Sequence, residues 1–358
     1  MRRLPLLILA LLPQVALAWG EDGHELVNRA AARALPSDAP EWLRREARLT
    51  YLGPEPDRWR HAELTHMNKA FAPDHYVNLE SVQGIDLDRP PENRFAWMEA
   101  LRAADKKPDL VGFAPYHVVE LCQRIEAAVV SLELIDPAHP EAAERRRQAE
   151  EVLVYVAGTL GHYVADLANP HHCTIHYNGW RGDNPERFAT DDETHARFES
   201  VFVHREVEAL RAAVKVVDET RRDLEYVRAI WDLVRESHGE LKPLYRLDRD
   251  GAFAEGSDPA RGVAFAARRM SRGATLLRDL WITASLRGAR RAAALKLRMA
   301  IESALEREGI EVGVLVDLER RVTLRGRLED PARHARAVEL TRGVAGVQGV
   351  RSRVKVLY

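Results

Sequence analysis

The chain has 358 residues, of which 46% are hydrophobic, which is enough to bury a large core and to form more than one domain. Its 53 basic and 55 acidic side chains nearly cancel, and the formal net charge is −2 at pH 7. After the N-terminal region there is no uninterrupted apolar run of about 18 residues, which excludes a transmembrane helix further along the chain.

The first segment of the chain is typical of a secretory signal peptide. Residues 1–3 include two arginines, residues 4–12 are mostly apolar, and residues 16–18 are Ala-Leu-Ala. We predict that residues 1–18 are a signal peptide and that the mature protein starts at Trp19, in the periplasm or outside the cell. An uncleaved N-terminal helix is the alternative interpretation.

A short segment near the middle of the chain carries side chains that bind metals. His162 and Asp166 are four residues apart in an apolar-periodic stretch, so on a helix both side chains lie on one face. Pro170 ends that helix and turns the chain, which returns His172 toward the same space. This pattern indicates a metal site, although a buried histidine with a carboxylate partner is a common alternative.

Removal of the predicted signal peptide would leave Trp19 with a free α-amino group. Such an amine and the carbonyl oxygen of the same residue can chelate a metal once the amine has lost its proton. His24 follows five residues later, at the start of a helical run, and offers a second nitrogen close to the first.

Together these motifs resemble the superfamily of bacterial zinc-dependent phospholipases C and single-strand-specific nucleases. The resemblance rests on Trp19, on Gly23-His24 and on the pattern H-x-x-x-D-x-x-x-P-x-H that starts at His162, and it covers residues 19–286. It implies a mainly helical domain that holds three zinc ions in a cleft and hydrolyses phosphodiesters or phosphomonoesters.

The resemblance also implies nine ligand residues in a fixed order along the chain. It assigns the first zinc to Asp57, His75, His162 and Asp166. It assigns the second to the amine and carbonyl of Trp19, to His24 and to the other oxygen of Asp166. It assigns the third to His172, His195 and Glu199. Nitrogen and oxygen ligands without thiolates are typical of hydrolytic zinc sites.

Asp57 is the predicted catalytic residue, which would orient or deprotonate the attacking water for in-line displacement at phosphorus. The alternative is that Asp57 is only a ligand. Arg60 is predicted to bind a phosphate oxygen, because the nucleases of this superfamily carry an arginine there, and a solvated helix charge is its alternative. The histidines without a partner at ligand spacing are interpreted as surface or supporting residues: His61, His66, His117, His171 and His176.

Apolar spacing predicts helices over residues 24–50, 97–134, 195–240 and 258–286, together with a helix that contains His162. The loop of residues 178–192 is predicted to line the substrate entrance, with Trp180 and Phe188 as substrate contacts. The two cysteines, Cys122 and Cys173, are interpreted as either one disulfide or two buried thiols.

The last seventy residues have a different pattern. A helix from 291 to 307 is followed by strands near 312–316 and 321–328, a helix from 330 to 341 and a strand over 347–356. This order resembles a BON domain, a small envelope module associated with phospholipid surfaces, and we place it at residues 289–358.

Charge separates the two parts of the chain. Residues 287–358 carry 16 lysines and arginines against 9 acidic residues, a balance of +7, and residues 19–286 have a balance of −11. A basic C-terminal domain suits an anionic membrane surface or nucleic acid, and ligand carboxylates contribute to the acidic balance of the first domain. An ordinary solvated distribution of charge is the alternative.

The predicted fold class is therefore mainly α, with a multi-helix zinc hydrolase domain followed by a small α+β domain of the order αββαβ.

Three functions remain open. The first is an exported trinuclear-zinc phosphodiesterase that resembles phospholipase C, favoured by Glu199 and by the lipid-associated tail. The second is a single-strand nuclease or nucleotidase, favoured by Arg60. The third is a non-enzymatic metal-binding envelope protein that works through its tail. The expected partners are a phospholipid or nucleic-acid phosphoester and the membrane surface, and no obligate protein partner is inferred.

Overall fold

A computed structural model describes residues 19–61 and 63–357, so the predicted signal peptide lies outside the described residues. Its first part is helical, and its last part is a small sheet with helices on one face. None of the described helices combines the length and the apolar character that crossing a membrane requires. The predicted fold class, mainly α with a small mixed C-terminal domain, is confirmed at this coarse level.

The helices before the sheet vary from single turns to a very long rod. Their bounds are α1 (Gly20–Arg33), α2 (Glu46–Tyr51), α3 (Glu55–Arg58), α4 (Thr65–Phe71), α5 (Arg94–Ala103), α6 (Pro108–Val111), α7 (Ala114–Glu133), α8 (Ala142–Ala168), α9 (Thr194–Ala196), α10 (Val203–Arg205), α11 (Val207–Ala213), α12 (Tyr226–Gly239), α13 (Leu241–Arg249) and α14 (Ala260–Glu306). Short 3-10 turns cover Glu41–Arg44, Ala72–His75, Leu79–Val82 and Pro170–Cys173, and a π-helical turn covers Arg197–Phe202.

Helix α8 lies at the centre of the helical part, and its residues 157–168 are all buried. It meets α1 closely because Gly161 has no side chain, and a Cβ there would overlap the Asn28 amide. The Asn28 amide donates hydrogen bonds to the carbonyls of Leu49, at 2.8 Å, and Gly158, at 2.9 Å. This close approach lets the His24 ring stack on the His162 ring, with centroids 3.9 Å apart.

The long helix α14 differs from the prediction of two helices, over 258–286 and 291–307. The structure has one helix of 47 residues, and Gly288 lies inside it. Gly288 packs against Val129 and the Glu126 carbonyl of α7, where a Cβ would collide. A glycine inside a helix costs only about 1 kcal/mol, so this packing outweighs the cost and the predicted break is wrong. The helix therefore runs from the large core into the small one.

The C-terminal sheet has three strands in the order β1 (Gly313–Val316), β2 (Arg321–Leu328) and β3 (Gly349–Val356). Strands β1 and β2 pair antiparallel, and β2 and β3 pair parallel through the crossover helix α15 (Pro331–Gly343). The small core forms between the sheet, α15 and the end of α14. This is the predicted order αββαβ.

The two cysteines, Cys122 and Cys173, are both buried free thiols. The disulfide alternative is therefore wrong, and the interpretation as two buried thiols is correct.

Candidate metal centre

Several short elements bring the predicted ligands together around the end of α8. His162 and Asp166 are fully buried on one face of that helix. The helix stops before Pro170, as predicted, and the 3-10 turn that follows brings His172 back to the same space. The other ligands come from the elements already given: His24 from α1, Asp57 from α3, His75 from the turn Ala72–His75, and His195 from α9.

The first donor set contains one atom from each of four side chains. The His75 Nδ1 atom lies 3.0 Å from both the His162 Nε2 atom and the Asp166 Oδ2 atom, and the last two are 3.3 Å apart. The Asp57 Oδ1 atom lies 3.7 Å from His162 Nε2 and 3.9 Å from His75 Nδ1. Donors bound to one tetrahedral zinc are about 3.3 Å apart, so this set has the dimensions of a zinc cage.

The second donor set starts from the other oxygen of Asp166. The His24 Nε2 atom lies 3.5 Å from Asp166 Oδ1 and 3.8 Å from Asp57 Oδ2. Among the described residues, none of these three atoms has a hydrogen-bond partner. Buried polar atoms are nearly always paired, so three orphans that face one another fit a missing cation. Asp166 thus directs one oxygen to each set, as expected for a bridging ligand.

Trp19 lies at the start of α1 and is buried. Its backbone nitrogen donates to the Glu199 Oε2 atom at 3.1 Å, and its indole nitrogen donates to the Ala165 carbonyl at 2.7 Å. The structure thus places this nitrogen beside Glu199 of the third donor set, whereas the resemblance assigned the amine to the second zinc, with His24 and Asp166.

The third donor set joins the turn after α8 to the helical segment that starts with α9. The His172 Nε2 atom lies 3.3 Å from His195 Nε2 and 3.7 Å from Glu199 Oε1. The His195 Nε2 atom lies 2.6 Å from Glu199 Oε2. Glu199 belongs to the π-helical turn Arg197–Phe202, and such turns are frequent at functional sites.

Sequence reasoning missed His171. It was interpreted as a surface or supporting residue, yet it is 1% exposed and its Nδ1 atom lies 3.5 Å from Glu199 Oε1. With His195 and Glu199 it forms a group that could hold a metal ion, and neither of its ring nitrogens has a hydrogen-bond partner among the described residues. The sequence did contain one indication, since two adjacent histidines follow a proline where a tight turn is expected.

Four further histidines considered in the sequence, His61, His66, His117 and His176, lie outside the three donor sets. His61 and His66 are exposed. His117 is buried and its Nδ1 atom lies 3.4 Å from Asp74 Oδ2, in a separate ionic group. His176 stacks on Trp180.

Hydrogen bonds to backbone carbonyls fix the tautomers of two ligands. The His162 Nδ1–H group donates to the Gly53 carbonyl at 3.0 Å, and the His172 Nδ1–H group donates to the His75 carbonyl at 2.7 Å. Because a carbonyl only accepts, Nδ1 carries the proton and Nε2 of the neutral ring keeps its lone pair. Histidines that bind metals usually donate their second nitrogen in this way.

Burial controls the charges in the site. It lowers the pKa of His75 to about 3 and that of His24 well below its usual value, so both rings are neutral at pH 7. It also raises the pKa of the Asp57 carboxyl. Burial opposes the charge on His172, but the carboxylates of Asp166 and Glu199 raise its pKa to about 9. The neutral rings of His24 and His75 and the buried carboxylates suit a divalent cation, and a bound cation would displace the second proton of His172.

The loop of residues 178–192 was predicted to line the substrate entrance, and the structure differs from this prediction at Phe188. Phe188 is buried and packs with Trp180 and Tyr245 in a small separate core, so the expectation that it contacts substrate is wrong.

Arg60 lies with its Nη1 atom 3.4 Å from Asp57 Oδ1, and its Nε atom is buried without a hydrogen-bond partner among the described residues. Its guanidinium is therefore in place to meet a ligand beside the first donor set.

Comparison with known families supports one part of the chain. Residues 292–358 match the profile of the BON domain, which confirms the predicted C-terminal domain with a start three residues later than residue 289. No curated protein matches the chain. The likeness of residues 19–286 to zinc phospholipases C and nucleases thus rests on the ligand pattern.

Proposed function

We propose that the chain is a zinc-dependent phosphoesterase of the phospholipase C type, which hydrolyses a phosphate ester by in-line attack of water. The observation that carries this proposal is the buried four-atom set of Asp57, His75, His162 and Asp166, which shares Asp166 with His24. A structural zinc site closes around one ion with no further donors. A shared carboxylate between neighbouring sets is instead typical of sites in which several metals act on one phosphate.

The donor types fit zinc. All described donors are imidazole nitrogens or carboxylate oxygens, and the two buried cysteines lie outside the sets. Bound zinc would acidify a water and neutralise the phosphoryl oxygens. Three donor sets in the structure agree in number with the three ions that the resemblance implies.

The protein side chains then position the reactants. The Asp57 Oδ2 atom has no hydrogen-bond partner among the described residues, so it is available either to the second donor set or to a proton of the attacking water, and burial raises the pKa of this carboxyl. Arg60 lies beside it and presents a planar guanidinium to an oxygen of the phosphate. These two residues define one wall of the site.

The C-terminal domain adds a cationic surface. The face of β2 and β3 that points away from the small core carries six cations, at Arg321, Arg325, Arg327, Arg351, Arg353 and Lys355. Arg325 lies directly opposite Arg353, and Arg327 lies opposite Lys355. Such like-charged pairs are destabilising by themselves, so an anionic partner would stabilise this face. We propose that this surface docks on anionic phospholipids, in agreement with the association of BON domains with phospholipid surfaces.

A nuclease or nucleotidase activity is the second candidate. Arg60 favours it, because the nucleases of the resembling superfamily carry an arginine at this place and the structure puts its guanidinium beside Asp57. The outward face of β2 and β3 has no aromatic side chain on which bases could stack, which favours a lipid surface for the C-terminal domain.

The experiment compares hydrolysis of short-chain phospholipids and of single-stranded DNA by the zinc-loaded protein that starts at Trp19, before and after a chelator. Lipid hydrolysis that the chelator abolishes and zinc restores supports the phospholipase C type, and the same result with DNA supports the nuclease. Hydrolysis of neither substrate by a protein that retains its zinc would contradict both activities and leave the metal-binding envelope protein.

A further inference from the structure

A second cation lies near the third donor set. Tyr177 is 41% exposed, and its ring lies almost perpendicular to that of the ligand His195, with centroids 6.0 Å apart. The exposed guanidinium of Arg181 lies over the Tyr177 ring, 5.7 Å from its centroid. Arg181 is therefore one aromatic ring away from His195.

The loop that carries Tyr177 and Arg181 is held in place. The His195 backbone nitrogen donates to the Asn178 side-chain oxygen at 3.3 Å, which ties the loop to the metal centre. The Arg181 backbone nitrogen donates to His176 Nδ1 at 3.0 Å. Gly179 has φ +88° and touches the backbone of Thr190 and Asp191 so closely that a Cβ would collide. A loop that is already ordered binds a ligand without the entropy cost of ordering.

The charge of Arg181 is not compensated by the protein. Arg197 pairs with Asp248, at 2.8 Å, and Arg246 with Glu186, at 2.7 Å. Arg181, by contrast, forms no ion pair within the ranges 19–61 and 63–357, and its side-chain contact is the Tyr177 ring. Its donors are therefore available to an incoming anion, with the guanidinium oriented by the aromatic face.

Arg60 and Arg181 flank different donor sets. Arg60 lies next to Asp57 of the first set, whereas Tyr177, with Arg181 over its ring, lies next to His195 of the third set. A phosphate that reacts at the metals would meet Arg60 and leave Arg181 without an anion.

We propose that Arg181, supported by Tyr177, binds a second phosphate group of the substrate, so that the site prefers phosphoesters with an additional phosphate. This inference rests on the proposed phosphoesterase function and specifies its substrate class. The position of Arg181 disfavours phosphocholine esters, because its guanidinium already covers the Tyr177 ring and repels a quaternary ammonium group.

The second phosphate could belong to a nucleotide or to a lipid headgroup, and two ligand pairs separate these sources. One pair is the hydrolysis-resistant 5′-phosphonate of thymidine, with and without a 3′-phosphate. The other is a short-chain phosphonate analogue of phosphatidylinositol, with and without a 4-phosphate. Binding of each ligand to the zinc-loaded protein that starts at Trp19 is measured by calorimetry, so that no turnover is required.

We expect the additional phosphate to tighten binding about tenfold in at least one pair. The Arg181→Gln variant loses this gain, and the matched variant Arg187→Gln, at an exposed arginine of the neighbouring loop segment, keeps it. The proposal is overturned if neither pair shows a gain or if the gain persists in Arg181→Gln. A gain that depends on Arg181 in a protein without hydrolytic activity would refute the proposed catalysis and leave this site standing.

Discussion

The helical region and the C-terminal domain place their functional charges in opposite environments. Asp166 and Glu199 are fully buried among neutral or partly charged histidines, whereas Arg353 and Lys355 are exposed on an open sheet. A buried carboxylate costs several kcal/mol unless a cation or a proton balances it, so the helical site depends strongly on each of its members. An exposed cation costs little, so the sheet surface acts through the sum of many weak contributions.

This difference predicts unequal responses to substitution. A single change in the buried site alters both charge balance and metal binding, and its effect is large and independent of ionic strength. A single change on the sheet has a small effect that salt screens over about 10 Å at 0.1 M. The variants below test this contrast in order of decreasing effect.

The largest effect is expected for Asp166→Asn. This change removes a charged oxygen from two donor sets together, so the zinc content falls by about two ions and activity falls by at least about 100-fold. Zinc content and hydrolysis rate are the measurements. Asp183→Asn, which changes an exposed carboxylate of the nearby loop, is the control and keeps both values. Unchanged zinc content in Asp166→Asn would exclude a bridging role.

The next effect concerns the terminal nitrogen. A single glycine added before Trp19 blocks the free amine that the resemblance assigns to the second zinc, so we expect the loss of about one zinc while His172, His195 and Glu199 keep theirs. The structure places this nitrogen 3.1 Å from Glu199 Oε2, at the edge of the cluster. Trp19→Phe keeps a free amine and serves as the matched control. Equal zinc content in the extended and unextended proteins removes Trp19 from the ligands.

A moderate effect is expected on the cationic sheet. Arg325→Gln combined with Arg353→Gln removes one opposed pair, and each cation contributes about 1 kcal/mol near an anionic membrane, so affinity for phosphatidylglycerol vesicles falls about thirtyfold at low salt. Arg290→Gln with Arg342→Gln changes the net charge equally elsewhere. If both double variants weaken vesicle binding alike, net charge rather than this surface is responsible.

The smallest effect concerns Glu80, which supports the chain just after His172. Burial opposes its charge, but hydrogen bonds from His238, Thr174 and the Ile175 backbone lower its pKa to about 2. A lowered pKa in the folded state adds stability above the usual value of 4.5, and this contribution is lost as the pH falls toward 2. Glu80→Gln should therefore lower Tm at pH 7 and differ progressively less from the unchanged chain between pH 4.5 and 2. A difference that stays constant with pH would contradict this assignment.

The parts of the fold that could be predicted depend on local patterns. The spacing of His162 and Asp166 fixes one helix face, and Pro170 must end that helix, so the turn to His172 follows from backbone sterics. Alternation in β2 and β3 likewise predicted the C-terminal strands. These features need no knowledge of distant contacts.

The parts that could not be predicted depend on packing between distant segments. The sequence predicted separate helices over 258–286 and 291–307, but the packing of Gly288 against Val129 lets α14 continue between them. His171 is placed beside Glu199 by a 3-10 turn and by the position of α9, which sequence spacing does not contain. Phe188 was expected at the entrance because it lies in a polar loop, and its burial against Tyr245 becomes visible only in the fold.

The central claim is that buried imidazoles and carboxylates around Asp166 hold a cluster of zinc ions. The most direct measurement is the metal content of the purified protein that starts at Trp19, determined by mass spectrometry after removal of loosely bound ions. We expect three zinc ions per chain in this protein and about one in Asp166→Asn. A chain that binds no zinc above the level of a variant lacking Asp166, His195 and Glu199 would contradict the account.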